Sequence, residues 1–474
     1  MTPDSILIFT ILIAGFYMAW NIGANDVANA MGTSVGSGAL HLKQAIVIAA
    51  ILEFCGAFFF GSHVSETIQG GILNPDYFAH NPRILVLGML AALIGTGLWL
   101  QIASYFGWPV SATHTIIGAL VGFGLLNDAT HAIYWDQVYS IAVSWILSPF
   151  LGGLISFSLF TYLRKRIFYH STPLESAKKT MPRITFLVMA MLSFILLQSV
   201  DNQSLSEHIL LLLLACCSIG FLSFIAASFF AKKQTLNTQI LHHSSQFSPE
   251  LSIQLEKAKK ALSRAHSLSQ GEMTMRISSI VDDLDHTSAS LINPEEYEKT
   301  SEEFSTIEKM FAWLQVISAC LMAFSHGAND VANAIGPVSA SITILQTGLT
   351  AVKTDVPSWA LALGGFGIVI GLATWGWRVI ETVGKKITEL TPTRGFAAEF
   401  GAAFTVLIAS RLGLPISTTH TLIGAVIGVG LARGIGALNL GMMRDIVASW
   451  VVTVPAGAIM AILVFTLIAP LFGL

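Results

Sequence analysis

The chain is a succession of apolar runs long enough to cross a bilayer, and this limits its fold more than any other feature. A spanning helix needs about 20 mostly apolar residues. Runs of that kind lie near 4–20, 42–65, 84–105, 136–163, 183–200, 207–231, 309–325, 358–381, 395–411 and 443–470. Composition agrees: 53% of residues are hydrophobic and 11% charged, where soluble domains carry roughly 25% charge. Too little solvated charge is left for a soluble enzyme, a nucleic-acid binder or a disordered scaffold. The net charge of −3 names no partner. The expected class is an all-α polytopic membrane protein.

Four further apolar stretches, near 24–40, 108–126, 328–349 and 414–432, are interrupted by Gly, Pro, Asn, Ser and Thr. They are expected to be broken or re-entrant helices. Backbone can leave the helix at membrane depth only where protein or a wet cavity satisfies it, so such breaks tend to line sites. From Lys232 to Glu308 the chain turns polar and holds about two fifths of all charged residues, with a helix-like patch at Leu251–Ala265 and acidic clusters at Asp282–Asp285 and Glu295–Glu303. It is expected to be a solvated, partly helical linker. Cys55, Cys216, Cys217 and Cys320 sit in apolar runs without metal-ligand spacing and read as buried hydrophobes. Met1–Asp4 leads into an apolar stretch without a basic region or cleavage site, so a retained helix is expected.

An internal repeat organises the whole. Gly23-Ala-Asn-Asp-Val-Ala-Asn-Ala-Met-Gly32 returns as Gly327-Ala-Asn-Asp-Val-Ala-Asn-Ala-Ile-Gly336, with nine of ten positions identical. Pro109-Val-Ser-Ala-Thr-His-Thr-Ile-Ile-Gly118 returns as Pro415-Ile-Ser-Thr-Thr-His-Thr-Leu-Ile-Gly424, and Ser144-Trp145 as Ser449-Trp450. The offsets are 304, 306 and 305 residues, in the same order, so two related halves are expected. Basic residues near helix ends favour the cytoplasm. The basic loop Arg164–Arg183, the loop opening at Lys232 and Lys233, and the segment from Lys385 and Lys386 to Arg394 all read as cytoplasmic. The loop joining the two helices between the first pair carries Asp201 and Glu207 and no base, and Glu66–Arg83 has a single base; both fit the outside, as do the base-free termini. The halves are therefore expected to run in opposite directions. Inverted repeats with discontinuous helices are the pattern of secondary transporters, whose substrate site lies near the midplane. The expected divisions are 1–165 and 309–474 as repeats, 166–231 as a basic loop with two extra helices, and 232–308 as a cytoplasmic loop.

The residues that can carry chemistry come as duplicates. Asn25, Asp26 and Asn29, with Asn329, Asp330 and Asn333, put carboxylate and amide oxygens on one helix face. A hard monovalent cation wants several such oxygens, and an acid inside a span is a functional hypothesis by default; a hydrogen-bonded strut is the alternative. Ser111, Thr113 and Thr115, with Ser417, Thr418, Thr419 and Thr421, follow a Pro as at the start of a half-helix. Hydroxyls there, with the positive end of the helix dipole, suit a tetrahedral oxyanion, although capping or helix packing explains them equally well. GxxxG pairs follow in both copies, Gly118/Gly122 and Gly424/Gly428, and suit close helix packing. A cation between Asp26, Asp330 and an anion removes like-charge repulsion and makes anion affinity depend on that cation. Glu53 and Glu399 are lone acids in apolar runs, either proton or cation ligands or struts. His114 and His420 either donate to an anion or pack as neutral rings, and Trp145 and Trp450 read as packing residues. His326 has Ile22 as its counterpart, so any role it has is asymmetric.

These paired GANDVANA(M/I)G and P(V/I)S(A/T)THT blocks, with the central hydrophilic loop, resemble the inorganic phosphate transporter (PiT) family of secondary carriers. The resemblance implies a symporter of inorganic phosphate with Na⁺ or H⁺ as coupling ion and no cofactor. It also implies two inverted repeats making about twelve spanning helices, commonly dimeric. By position it places Asn25, Asp26, Asn329 and Asp330 at a site shared by cation, Na⁺ included, and phosphate. It places Ser111, Thr113, Ser417, Thr418 and Thr419 around the phosphate, and associates Glu53 and Glu399 with transport. Ala112 stands where the second copy has Thr418, so the site need not be symmetric. The expected activity is cation-coupled phosphate symport in the cytoplasmic membrane. A symporter for sulfate or another tetrahedral oxyanion and an uncoupled anion channel are the rivals. A membrane-embedded hydrolase fits poorly, because the polar groups are duplicated binding oxygens without a nucleophile context.

Overall fold

In the computed structural model, residues 3–128, 131–200, 209–234, 249–268, 272–291, 294–348, 355–377, 379–380, 390–434 and 440–472 are described. Every regular element among them is helical, apart from a single bridge between Leu73 and Ile133. Among the described residues, eight helices are long and apolar enough to cross a membrane. The chain divides into two compact units, Met1–Phe160 with Ala312–Leu474, and Thr161–Phe311. Lys385 and Lys386, and Asp201 and Glu207, on which part of the expected orientation rests, lie outside the described residues.

The first unit carries the repeated motifs. Its helices are α1 (Pro3–Gly36), α2 (Leu42–Phe60), the short α3 (Ser62–Gly70), α4 (Pro82–Phe106), α5 (Ala112–Asp128) and most of α6 (Trp135–Leu163). Within the second unit, α7 (Pro173–Val200) packs on α8 (Ile209–Lys233), and α9 (Pro249–Leu268) on α10 (Glu272–Leu291). The patch Leu251–Ala265 thus lies in α9 and the cluster Asp282–Asp285 in α10. The chain then continues as α11 (Pro294–Thr347), α12 (Ser358–Thr374), α13 (Pro392–Arg411), α14 (Thr418–Arg433) and α15 (Leu440–Ile468).

Two of the four expected breaks are absent. Residues 24–36 continue α1 and residues 328–347 continue α11 without interruption. Glycine inside a helix costs about 1 kcal/mol against alanine, but here it allows helices to cross at backbone contact. A methyl group on Gly23 would overlap the backbone of Ile368 in α12, and one on Gly327 the backbone of Glu53 in α2. Packing has overridden the breaker residues.

The other two breaks are real and share one construction. Helix α4 stops at Gly107, whose left-handed backbone (φ 68°) lets its N–H reach back to Ala103 and Ser104; α13 stops just before Gly413 (φ 66°). Pro109 and Pro415 follow two residues later, where a proline cannot continue the helix. Ser111 and Ser417 then cap the next helices, their Oγ atoms accepting from the backbone N–H of His114 and His420 at 3.2 Å. Each returning half-helix is held through its GxxxG pair. Gly118 and Gly122 meet the backbones of Val454 and Ala458 in α15, and Gly424 and Gly428 meet those of Pro149 and Gly153 in α6.

The burial pattern is that of a lipid-embedded body. Ile146 of α6 and Leu467 of α15 are more than 70% exposed, whereas Asp26 and Asp330 are at most 1% exposed. Apolar side chains facing outward with ionisable groups facing inward is the reverse of a soluble domain. The protein is a multi-pass integral membrane protein.

Candidate functional site

The two copies of the Asn-Asp motif sit on α1 and α11, and the two broken hairpins come to meet them. Asn25 donates its amide to Ser104 Oγ and to the Trp108 carbonyl, both at 3.1 Å. Asn329 makes the same pair of bonds in the second copy, to Ser410 Oγ at 3.0 Å and the Leu414 carbonyl at 3.3 Å. Each asparagine therefore holds the non-helical tip of a hairpin, where a backbone carbonyl has lost its helical partner. The N–H groups are spent on the hairpin, so the amide orientation is settled and Oδ1 is left over. Ser104 and Ser410 were not among the residues singled out in the sequence. They belong to Ile102-Ala-Ser-x-x-Gly-x-Pro109 and Ile408-Ala-Ser-x-x-Gly-x-Pro415, an upstream extension of the second repeated block.

The carboxylates are bridged to the half-helices by hydroxyls. Asp26 Oδ1 accepts from Asn29 at 3.0 Å and from Thr419 Oγ1 at 3.2 Å, and Asn29 also donates to Thr419 Oγ1 at 2.8 Å. In the other copy Asn333 donates to Thr113 Oγ1 at 3.1 Å, and Thr113 donates to the Ile416 carbonyl at 3.0 Å. Each motif thus reaches the hairpin of the opposite copy. Asp330 differs: its Oδ2 accepts from Thr418 Oγ1 at 2.9 Å and lies 3.1 Å from His326 Nε2. Ala112, in the place of Thr418, has no hydroxyl to offer Asp26, and Thr419 supplies it from across the repeat. Thr115 and Thr421 point elsewhere, each donating at 2.8 Å to the carbonyl of Ser111 or Ser417 in its own helix.

What remains is a set of buried acceptors without donors. Asn25 Oδ1, Asp26 Oδ2, Asn329 Oδ1, Asp330 Oδ1 and Asn333 Oδ1 have no hydrogen-bond partner. An unpaired buried polar atom costs about 1–3 kcal/mol, and more when charged. In addition, ligand atoms of Asp26, His326 and Asp330 lie within 4.8 Å of one another. Two carboxylates at that separation repel by roughly 3 kcal/mol at an effective dielectric near 20. Several acceptor oxygens from two repeats that no donor satisfies, with two carboxylates among them, fit a hard cation such as Na⁺. The N-termini of α5 and α14 beside them supply positive dipole ends suited to an anion.

The other polar candidates lie around this centre. Glu53 of α2 is buried, with Oε1 3.4 Å from His326 Nδ1. Glu399 of α13 accepts from Thr33, from Ser34 at 2.6 Å and from Ser318 at 3.0 Å, about one helical turn along α1 from Asn29. The two acids therefore lie in separate clusters. His114 and His420 meet edge to face with ring centroids 4.1 Å apart, and Trp145 and Trp450 lie against them at 3.8 Å each. These four rings pack the half-helix starts together across the repeat.

The chain is similar to known proteins over nearly its whole length. The model of the phosphate transporter family matches residues 22–461. A relative from Arabidopsis thaliana, the chloroplastic inorganic phosphate transporter 2-1, is 44% identical over 97% of this chain and 71% of its own. A solved structure, "The sodium-dependent phosphate transporter", superposes with a TM-score of 0.79 at 36% identity, covering 98% of this chain and 99% of that one. With its doubled motif, its two broken hairpins and a match over nearly the whole chain, the protein belongs to the phosphate transporter family.

Proposed function

We propose that the protein is a sodium-coupled symporter of inorganic phosphate working by alternating access. The observation that carries this reading is the group of five unpartnered oxygens from Asn25, Asp26, Asn329, Asp330 and Asn333 beside two half-helix N-termini. A proton would need one oxygen, whereas Na⁺ uses several. The similar solved structure is of a sodium-dependent transporter, which points the same way. In this reading Na⁺ lies against Asn25, Asp26, Asn29, Asn329, Asp330 and Asn333. Phosphate lies between those cations and Ser111, Thr113, Ser417, Thr418 and Thr419, whose present hydroxyl bonds are exchanged for bonds to the anion. Thr115 and Thr421 support the first turns of α5 and α14. Asp26 and Asp330 repel phosphate until cations arrive, so anion and cation bind together; this is coupling expressed as electrostatics.

The reading includes the wider organisation. Residues 1–165 and 309–474 form inverted repeats, contributing most of about twelve spans, with 166–231 adding two. The loop 232–308 is cytoplasmic, the termini are outside, and two copies associate in the cytoplasmic membrane. The test is labelled phosphate uptake into proteoliposomes with a sodium gradient or a pH gradient imposed alone. The sodium gradient is expected to drive accumulation that unlabelled phosphate suppresses and sulfate does not. Suppression by sulfate as strong as that by phosphate marks a transporter that does not select phosphate over another oxyanion. Accumulation under the pH gradient only marks proton coupling, and equilibration without accumulation marks a channel.

A further inference from the structure

The two copies of the site are not chemically equivalent, and the difference lies in a buried pair, Glu53 and His326. The helix crossings define which residues correspond. Gly23 meets the backbone of Ile368, and Gly327 meets that of Glu53; Gly371 meets Trp20 and Ala24, and Gly56 meets Phe324 and Ala328. Glu53 thus corresponds to Ile368, and His326 corresponds to Ile22. One copy places two isoleucines where the other places a histidine and a glutamate, both 0% exposed.

An apolar pair suits this environment, as the first copy demonstrates. Burying a carboxylate costs several kcal/mol unless it is well paired. Glu53 lies 3.4 Å from His326, and neither of its carboxylate oxygens has a hydrogen-bond partner. A pair so costly for the fold is best understood through what it faces, which is Asp330, 3.1 Å from the other ring nitrogen.

Asp26 is oriented by Asn29 and Thr419, both on Oδ1, leaving Oδ2 open. Asn333, the counterpart of Asn29, does not donate to Asp330 but to Thr113. Asp330 instead has Thr418 donating to Oδ2, with His326 Nε2 at ion-pair distance, 3.1 Å, from the same oxygen, leaving Oδ1 open. His326 occupies the orienting role that Asn29 fills in the first copy, and Glu53 holds the far side of the ring.

We propose that His326, backed by Glu53, is the positioning residue of the Asp330 subsite: it fixes one carboxylate oxygen so that the other faces the coupling cation, and it makes the two cation subsites unequal. Asp26 takes its hydrogen bonds from the neutral donors Asn29 and Thr419 and has His326 only within 4.8 Å, whereas Asp330 ends a three-member chain Glu53–His326–Asp330 that reaches from α2 into α11. Groups that orient a cation's ligand from behind typically change its affinity ten- to a hundredfold when removed.

The inference rests on the sodium-coupled reading and is tested in proteoliposomes, with uptake normalised to inserted, monodisperse protein. Wild type, His326→Ile, His326→Gln and Glu53→Gln are compared for half-activating Na⁺ and for phosphate KM at saturating Na⁺. His326→Ile copies the residue of the first repeat and is expected to raise half-activating Na⁺ by roughly tenfold or more, with much less change in phosphate KM. His326→Gln, which keeps an N–H donor, is expected to recover most of the loss, and Glu53→Gln to fall between. Unchanged half-activating Na⁺ in His326→Ile would overturn the proposal, as would His326→Gln being as impaired as His326→Ile. So would effects in all three variants confined to the amount of inserted protein. Wild-type uptake without sodium dependence would instead overturn the parent reading and the inference with it.

Discussion

At the scale of single residues, the site is an arrangement of acceptors. Asp26 and Asp330 each spend one oxygen on donors and keep the other free, and Asn25 and Asn329 spend both donor directions on a hairpin tip so that a carbonyl oxygen is left. Replacing either aspartate by asparagine keeps shape but removes charge and introduces a donor where an acceptor is needed. Asp26→Asn and Asp330→Asn are each expected to lower sodium-driven phosphate uptake by at least about a hundredfold, the scale of one lost charge-assisted contact of some 3 kcal/mol, with the protein still inserted and monodisperse. Near-normal uptake in either variant would contradict a shared site. The duplicated residues were legible in the sequence because membrane burial makes an Asp conspicuous and repetition excludes accident. Ser104 and Ser410 were harder to see, since a serine in an apolar run is ordinary until the repeat is followed upstream to Ile102 and Ile408. The partners of Glu399 were not legible: Thr33, Ser34 and Ser318 come from two other helices, and nothing local relates them.

At the scale of elements, the informative contrast is between glycines that end helices and glycines that join them. Gly107 and Gly413, each followed two residues later by proline, stop α4 and α13 and create the hairpin tips. Their breaks were legible from proline and the clustered hydroxyls. Gly23 and Gly327 look like breakers too, yet α1 and α11 run through them, because backbone-to-backbone crossings with α12 and α2 favour the helix more than glycine disfavours it. No single-segment pattern distinguishes the two uses; the crossing partner lies in the other repeat. The GxxxG glycines behave as joiners. Gly428→Ala pushes a methyl group into the backbone of Gly153 and is expected to destabilise the purified protein by at least about 1–3 kcal/mol, read as a lower melting temperature. Gly70→Ala, which meets nothing within 4 Å, serves as the control and is expected to leave the melting temperature unchanged or slightly raised. Equal melting of the two variants would contradict the packing role assigned to the α14–α6 contact.

At the scale of the whole molecule, each repeat is incomplete alone. Asn29 of the first copy needs Thr419 of the second, Asn333 of the second needs Thr113 of the first, and each returning half-helix packs on the last helix of the other copy. This interlocking explains why the charged residues fall into separate populations: many in the polar stretch between the repeats, others at helix ends, and a few acids gathered where both motifs meet. It also makes a definite thermodynamic demand. If one site holds anion and cation together, each must raise the affinity of the other by the same factor. The most direct test is equilibrium binding of labelled phosphate to the purified protein as Na⁺ is raised, with choline replacing Na⁺ at constant ionic strength. Coupling at one shared site predicts that phosphate affinity climbs by roughly tenfold or more across the titration and that the increase vanishes in both Asp26→Asn and Asp330→Asn. Phosphate binding of equal strength with and without Na⁺, or a full sodium effect surviving in either variant, would contradict it.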